Sequence, residues 1–350
     1  MKHLRKDHRV DPKSADASRP RPRVASAAAQ SWPLPAAKPP PPPLAVSWAD
    51  IDAESAGQRI DNWLMKQLKG VPKSHVYRIL SSGEVRVNSG RIDASYRLAA
   101  GDRVRIPPVR RDPAAVPTGS GKAHFSGTIL FEDDALMVLD KPAGDAVHGG
   151  SGISLGVIEQ LRAERPEARY LELVHRLDRD TSGLLLVAKR RAALVGLHAA
   201  LREGSVEKRY LVLVLGRWQG KRDVRLGLRK YHTAEGERRV VVDDDGQASR
   251  TVFHLIRPYG DLSLLEAEIH TGRTHQIRVQ LAHLGFPVAG DEKYGDFARN
   301  RELSRVGLRR MFLHAARLGF VHPTTGVPMT FEAPLPPRLD DFLGSLEVAA

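Results

Sequence analysis

The chain has 350 residues, with 54 Lys and Arg against 41 Asp and Glu, a formal net charge of +13 and no cysteine. The missing cysteine excludes a disulfide scaffold, a thiolate nucleophile and every cysteine-based zinc module, and it fits a reducing, cytoplasmic compartment. No run approaches the roughly 18 apolar residues of a membrane-spanning helix, and so large a positive excess favours a polyanionic partner through counterion release.

Residues 1–48 read as a disordered, basic, proline-rich arm. Ten of the 24 prolines lie there, at Pro12, Pro20, Pro22, Pro33, Pro35 and the run from Pro39 to Pro43. Nine Lys and Arg against Asp7, Asp11 and Asp16 give the arm +6 of the +13. Too few large apolar residues are present to offset the entropy of ordering it. The early charges are not followed by the apolar core of a secretory leader.

From Gly57 the pattern changes. Ile60, Leu64 and Leu68 recur at helical spacing, and after Gly70-Val71-Pro72-Lys73 so do Val76, Ile79 and Leu80, which predicts two short helices joined by a turn. Ser74 is the expected N-cap of the second helix and Gly83 its stop. Val85 and Val87 then alternate with charged residues, Asn88-Ser89-Gly90 supplies turn chemistry, and Val104 and Ile106 follow Gly101-Asp102, so a small hairpin backs the helix pair. Its polar positions are mostly basic. Residues 57–107 resemble the S4 RNA-binding domain, with Arg59-Ile60-Asp61 and Gly83-Glu84-Val85-Arg86-Val87-Asn88 carrying the likeness. The resemblance implies RNA held through phosphates and shape, with Arg59, Lys73, Arg78 and Arg86 as RNA contacts. The plainer alternative is a generic helix pair with a solvated basic face. Ser89 interrupts the family's Asn-Gly and leaves the turn type open. Residues 108–124, rich in Pro, Gly and Arg, read as a linker.

Over residues 125–340 strands and helices alternate. Strands are expected at 128–131, 136–139, 171–177, 184–188, 210–215, 251–257 and 262–269, with a helix over 154–164, which makes an α+β domain on a substantial sheet. One polar turn, Val174-His175-Arg176-Leu177-Asp178-Arg179-Asp180-Thr181-Ser182-Gly183, sits between two apolar strands, a usual place for catalytic groups. On the residues alone, simple pairing of Asp178 with Arg176 or Arg179 explains it equally well. A metal site joining His175 and Asp178 to His270, His275 or His283 lacks the tight spacing of such ligands. A second cluster, Thr271-Gly272-Arg273-Thr274-His275-Gln276-Ile277-Arg278, opens a helix with the apolar stripe Ile277, Leu281 and Leu284. Its N–H groups and arginines suit a phosphate or carboxylate, and its bland reading is the start of a surface helix. Tyr210 heads an apolar strand and, taken alone, is a core or edge aromatic.

Together these segments resemble the RluA family of pseudouridine synthases over about residues 125–335. Lys141-Pro142-Ala143-Gly144, His175 to Gly183, Tyr210, Thr271 to Arg278, Gly290-Asp291-Glu292-Lys293-Tyr294-Gly295 and Phe312-Leu313-His314-Ala315 carry the likeness. It implies a catalytic fold with a mixed, mainly antiparallel sheet behind a small α+β S4-like domain, and isomerisation of uridine to pseudouridine without cofactor or metal. Asp178 is then the catalytic carboxylate, as nucleophile at C1′ or base at C2′, with Arg278 as its ion-pair partner. Tyr210 stacks on the target base and helps remove the C5 proton, and Leu313 covers the other face. Arg176 enters the RNA where the nucleotide leaves, and Arg273 and Lys293 touch the backbone. Because base extrusion costs a few kcal/mol, the expected substrate is a folded rRNA region with accessible uridines. The S4-like module and the arginine-rich segment 299–310 place the chain nearest the C branch of large-subunit ribosomal enzymes, with the D branch second. The implied partner is large-subunit rRNA, with no membrane, no obligate protein partner and a monomeric chain. One departure is the loop Lys141 to Gly150, where Asp145 replaces an apolar residue and Gly149 a proline, so a more mobile loop is expected. Two readings from other classes are an RNA-binding assembly factor whose catalysis is dispensable and a metal-dependent nucleic-acid hydrolase using His175 and Asp178.

Overall fold

A computed structural model describes residues 45–68, 70–109, 124–149, 155–220, 222–234 and 236–349. The arm over 1–44 and residues 110–123 of the linker lie outside the described residues. The final residues given to the arm fold differently: β1 (Ser47–Asp50) pairs antiparallel with β4 (Arg103–Ile106), placing Trp48 opposite Arg105. A four-residue strand with no large residue turned inward has no hydrophobic period to betray it.

Helices α1 (Ile60–Gln67) and α2 (Lys73–Ser81) bury Ile60, Trp63, Leu64, Val76, Ile79 and Leu80 against Val87 of β2 (Arg86–Val87) and Val104 of β4. The small sheet, completed by β3 (Gly90–Arg91), has the order β1-β4-β2-β3. Ser74 does not cap α2. The helix begins at Lys73, and the Pro72 carbonyl already accepts the His75 and Val76 N–H groups at 2.9 and 3.2 Å. Gly83, at φ +72°, ends it as expected.

The hairpin turn is settled by register. Val87 pairs with Gly90, so the loop is Asn88-Ser89 alone, and both residues have positive φ, 49° and 70°. That is a type I′ turn with serine where glycine is favoured. Asn88 is held by Asp102, a buried carboxylate that takes the Asn88 amide at 2.8 Å, the Tyr96 hydroxyl at 3.1 Å and the Ala99 N–H at 2.8 Å. Burial alone raises the Asp102 carboxyl, but these donors hold it below its usual range. Ser89 has no such compensation. Ser89→Gly is therefore expected to stabilise the small domain by about 1 kcal/mol. Hydrogen exchange of the Val87 and Val104 amides reads it, and faster exchange in the variant contradicts it.

The larger part opens with the hairpin β5 (Thr128–Glu132) and β6 (Leu136–Lys141), then α3 (Val157–Glu164), the two-residue β7 (Glu172–Leu173), β8 (Ser182–Ala188) and α4 (Arg191–Glu203). It continues through β9 (Glu207–Leu215), β10 (Asp223–His232), β11 (Arg238–Val242), β12 (Gln247–Tyr259) and β13 (Leu262–Ile269). It closes with α5 (Gln276–His283), α6 (Phe297–Arg305), β14 (Leu313–Val321), β15 (Pro328–Glu332) and α7 (Pro337–Ala349). One sheet runs β11-β10-β12-β13-β9-β14-β8-β6-β5, with β7 on β8 and β15 on β14, and only the β14–β8 pairing is parallel among the described residues. The α+β class and the mixed, mainly antiparallel sheet are as expected. Every residue of β8 is buried, which fits a central strand covered on both faces.

The strand expected over 171–177 shrinks to β7. Beyond it the Val174 N–H still reaches the Leu186 carbonyl at 3.0 Å, but His175 Nε2 takes the Leu186 N–H at 3.2 Å in place of a backbone acceptor. An imidazole thereby ends the ladder and starts the polar turn.

Candidate active site

Asp178 sits in that turn, between β7 and β8, and its backbone is fixed from beneath. The Thr181 N–H closes on the Asp178 carbonyl at 3.2 Å. The next carbonyl, of Arg179, accepts from the Gly144 N–H at 2.9 Å and from Lys141 Nζ at 3.1 Å. Lys141 is fully buried and also donates to the carbonyls of Pro142 and Asp145, at 2.6 and 2.8 Å. Burial pushes its ammonium down to about 8. These bonds tie the Lys141–Asp145 loop to the Asp178 turn. Asp145, the family departure, takes the Ser126 hydroxyl at 2.9 Å, so its polar side chain is used.

The partner of Asp178 comes from α5. This helix is no surface element: Gln276, Ile277, Arg278, Val279, Gln280 and Leu281 are all buried. Gln276 builds the turn before it, accepting from the Thr271 hydroxyl at 2.7 Å and the Arg273 N–H at 3.1 Å while donating to the Arg250 carbonyl at 3.0 Å. Arg278 then reaches the site. Its Nη1 donates to Asp178 Oδ2 at 3.0 Å, while Nε and Nη2 grip Asp291 at 2.7 and 2.8 Å, and its guanidinium lies over the Tyr294 ring, 5.1 Å from the centroid. Burial disfavours the charge on both Arg278 and Asp291. Their mutual bonds, with the Lys293 and Tyr294 N–H groups on Asp291, outweigh it, so Asp291 is held low and Arg278 high. Two carboxylates share one guanidinium, which leaves one negative charge uncompensated within the trio. Asp291 is fully buried, whereas the Asp178 side chain is 25 % exposed, so the surplus charge is accessible at Asp178.

His275 stands on the other side of Asp178, its Nε2 3.9 Å from Oδ1. It caps α5 from a left-handed conformation, φ +53°, that a non-glycine residue adopts at a cost of about 1–2 kcal/mol. Nδ1 is 2.8 Å from the Tyr294 hydroxyl, which itself accepts the Val240 N–H at 2.9 Å. Burial, with the charges of Arg278 and Lys293, pulls the His275 pKa down and favours the neutral ring against the pull of Asp178.

Asp178, His275 and Arg278 stand where two cavities meet. One, of about 80 Å³, is lined by the buried Tyr210 and Leu313 and by Arg176 and Arg273. The other is a cleft of about 1240 Å³ lined by Arg179, Lys293, Arg309, Arg310 and Arg338. A small slot walled by Tyr210 and Leu313, opening beside a carboxylate onto a wider cleft of mixed charge with arginines along it, can take a flat ring inside and a phosphodiester chain outside.

Residues 135–283 match the family model described as RNA pseudouridylate synthase, and residues 58–104 match the S4 domain. The ribosomal large subunit pseudouridine synthase C of Pasteurella multocida is 52% identical over 307 residues, covering 86% of this chain and 94% of that protein. The protein of the same name from Escherichia coli K12 is 53% identical over 306 residues, covering 85% and 96%. The chain belongs to the RNA pseudouridylate synthase family. Among solved structures, human RNA pseudouridylate synthase domain containing 4 is similar with a TM-score of 0.50 at 25% identity, over 63% of this chain and 92% of that one.

Within the synthase the expected site residues divide. Asp178, Arg278, Tyr210, Leu313, Arg176 and Arg273 line one small cavity, although 137 positions separate the first from the last of them in sequence. Lys293 lines the wide cleft but is engaged by Glu237 at 2.8 Å and the Arg238 carbonyl at 2.7 Å. His175, offered above as a metal ligand, is committed to the Leu186 N–H. The four cations expected to touch RNA also differ. Arg59 is paired with the buried Asp61 at 2.8 Å, Arg78 is 3.8 Å from Glu84, and Lys73 lies over the Tyr77 ring at 5.7 Å. Arg86 is exposed, and among the described residues its side chain has the Gly83 carbonyl at 3.3 Å as its hydrogen-bond partner. Sequence reasoning missed Asp291, Tyr294 and the placement of His275. The motif Gly290 to Gly295 was the available signal for the first two, but nothing in it reveals that Asp291 is buried.

Proposed function

We propose that the chain converts particular uridines of large-subunit ribosomal RNA to pseudouridine, with Asp178 as the catalytic carboxylate and specificity of the C type rather than the D type. The observation that carries this reading is the carboxylate at the mouth of the small cavity, with one oxygen tied to Arg278 and the other without a hydrogen bond among the described residues. The reaction breaks the C1′–N1 bond, turns the uracil in place and forms C1′–C5; a proton leaves C5 and N1 takes one, so the product is an isomer. Asp178 serves either by adding to C1′ or by taking the C2′ proton. Both need a carboxylate oxygen with a free lone pair, and Arg278, bound to Oδ2 at 3.0 Å, holds the group so that Oδ1 faces the cavity. Tyr210 and Leu313 supply the two faces of a slot for the extruded base, replacing the stacking lost from the RNA. Burial and then the charge of Asp178 push the Tyr210 hydroxyl up, which supports stacking by a neutral ring over service as a base. Arg176 and Arg273 are placed to contact the nucleotide's neighbours. The S4 domain adds RNA affinity.

The proposal is of a monomer acting without an obligate protein partner. No helix among the described residues is long and apolar enough to cross a membrane, and an rRNA substrate supports a cytoplasmic location. Site-resolved pseudouridine mapping of rRNA from cells with and without the gene tests the reading. Loss of signal at a few large-subunit uridines is expected. An unchanged map, or losses confined to small-subunit RNA, refutes it.

A further inference from the structure

The small sheet has two faces of different character. Val87, Val104 and Ile106 point to the helices and are buried. On the other face one lateral row crosses all four strands, because Trp48 pairs with Arg105, Arg105 with Arg86, and Arg86 with Arg91. Directly opposed residues project to the same side, so three arginines and a tryptophan stand shoulder to shoulder. Like charges in such positions repel. No carboxylate among the described residues lies within ion-pair distance of Arg86, Arg91 or Arg105. Asp50, the acid on this face, is 3.9 Å from Arg103, and Glu84 at the groove's rim is drawn to Arg78 at 3.8 Å. Backbone carbonyls take two of the arginines, Arg105 Nη1 donating to that of Glu84 at 2.7 Å and Arg86 Nε to that of Gly83 at 3.3 Å, but among the described residues no opposite charge offsets the repulsion.

Trp48 is 48 % exposed, and the Arg103 guanidinium lies 5.0 Å from its ring centroid. A groove of about 550 Å³ runs between Trp48, Arg86, Ser89 and Arg105. At about 4.8 Å between strands, the three arginines span roughly 10 Å. Trp48 lies outside residues 58–104 matched to the S4 domain, so β1 adds an aromatic edge that the domain model does not include.

We propose that this sheet face is a single-strand RNA site, separate from the catalytic cavity, in which an unpaired base stacks on Trp48 and adjacent phosphates lie along Arg105, Arg86 and Arg91. An aromatic plane beside a cationic track is the arrangement that binds single strands without reading their sequence. A duplex keeps its bases stacked inside and offers nothing to Trp48. The inference rests on the reading of the chain as an RNA enzyme and places a second grip on the rRNA flanking the modified helix.

The test uses the full chain and a short fluorescent RNA of adenosine and cytidine only, which has no uridine for the active site. Trp48→Ala is expected to weaken binding by about ten- to a hundredfold, as loss of a stacked base does. Trp48→Tyr is expected to keep most of the affinity, and Arg91→Gln to weaken it and flatten its salt dependence. Unchanged binding by Trp48→Ala overturns the proposal. So does an equal loss on duplex RNA, or equal binding of polyglutamate by the wild type, since each leaves only bulk charge. Pseudouridine formation by the wild type on rRNA is scored separately, so failure of the enzymatic reading is distinguishable from failure of this one.

Discussion

Asp178→Asn is expected to abolish pseudouridine formation, with a loss of about a thousandfold or more, while the protein stays folded and bound to RNA. Asparagine keeps the shape and one carbonyl oxygen for Arg278 but has neither the charge to add to C1′ nor the basicity to take a proton. Folding survives for an electrostatic reason. Arg278 holds Asp291 through two bonds of 2.7 and 2.8 Å and Asp178 through one of 3.0 Å, so the neutralised variant retains a complete buried pair and discards the surplus charge. Release of label from C5-tritiated rRNA measures the chemistry, and thermal melting the fold. Turnover within tenfold of wild type removes Asp178 from its assigned role. Complementing a gene deletion with the same variant separates catalysis from an assembly function: rescue of ribosome assembly without pseudouridine places the biological requirement in binding.

Asp291→Asn inverts that pattern. The carboxylate is fully buried, with Arg278 beside it and the Lys293 and Tyr294 N–H groups at 2.8 and 3.0 Å. Without that carboxylate Arg278 keeps a charged partner only in the partly exposed Asp178, through a single bond of 3.0 Å, so a stability loss of about 3–5 kcal/mol is expected. Activity falls with it, because Arg278 loses the fork that aims Nη1 at Asp178. Asp291 is held below the ordinary carboxylate range in the folded chain, so its contribution is fully present above that range and is lost as the pH falls through the folded value. The stability gap between wild type and Asp291→Asn is thus widest near neutrality and narrows in acid. Urea denaturation at neutral and acid pH reads both quantities. A gap that stays constant, or a variant as stable as Asp178→Asn, contradicts the shared-guanidinium account.

The chemistry was legible in the sequence wherever it lay in a run. His175 to Gly183 and Thr271 to Arg278 are contiguous, and their resemblance to a family is enough to single out Asp178 and Arg278. What escaped is long-range or local-conformational. Asp291 looks like any loop acid until burial shows that it fixes Arg278. The left-handed backbone of His275 has no residue signature, since glycine would have been the expected marker. The fold was readable where apolar residues cluster in short runs, as in β6, β8 and β13. It was missed in β10 and β11, whose charged, exposed faces hide the period, and in β1, which is defined by its ladder with β4. Ser74 was a sound cap on composition, yet Pro72 had already started the helix.

The sheet order bears on when this enzyme comes into being. Strand β14 joins two halves, one of β8, β6 and β5 and the other of β9, β13, β12, β10 and β11, and it supplies Leu313 at the cavity. Both halves lie upstream of it in the chain. Until residues 313–321 are present, β8 and β9 lack the strand that pairs with both, and the cavity lacks Leu313. A product truncated before β14 is therefore expected to expose two unpaired edges, at β8 and β9, of the kind that drive aggregation.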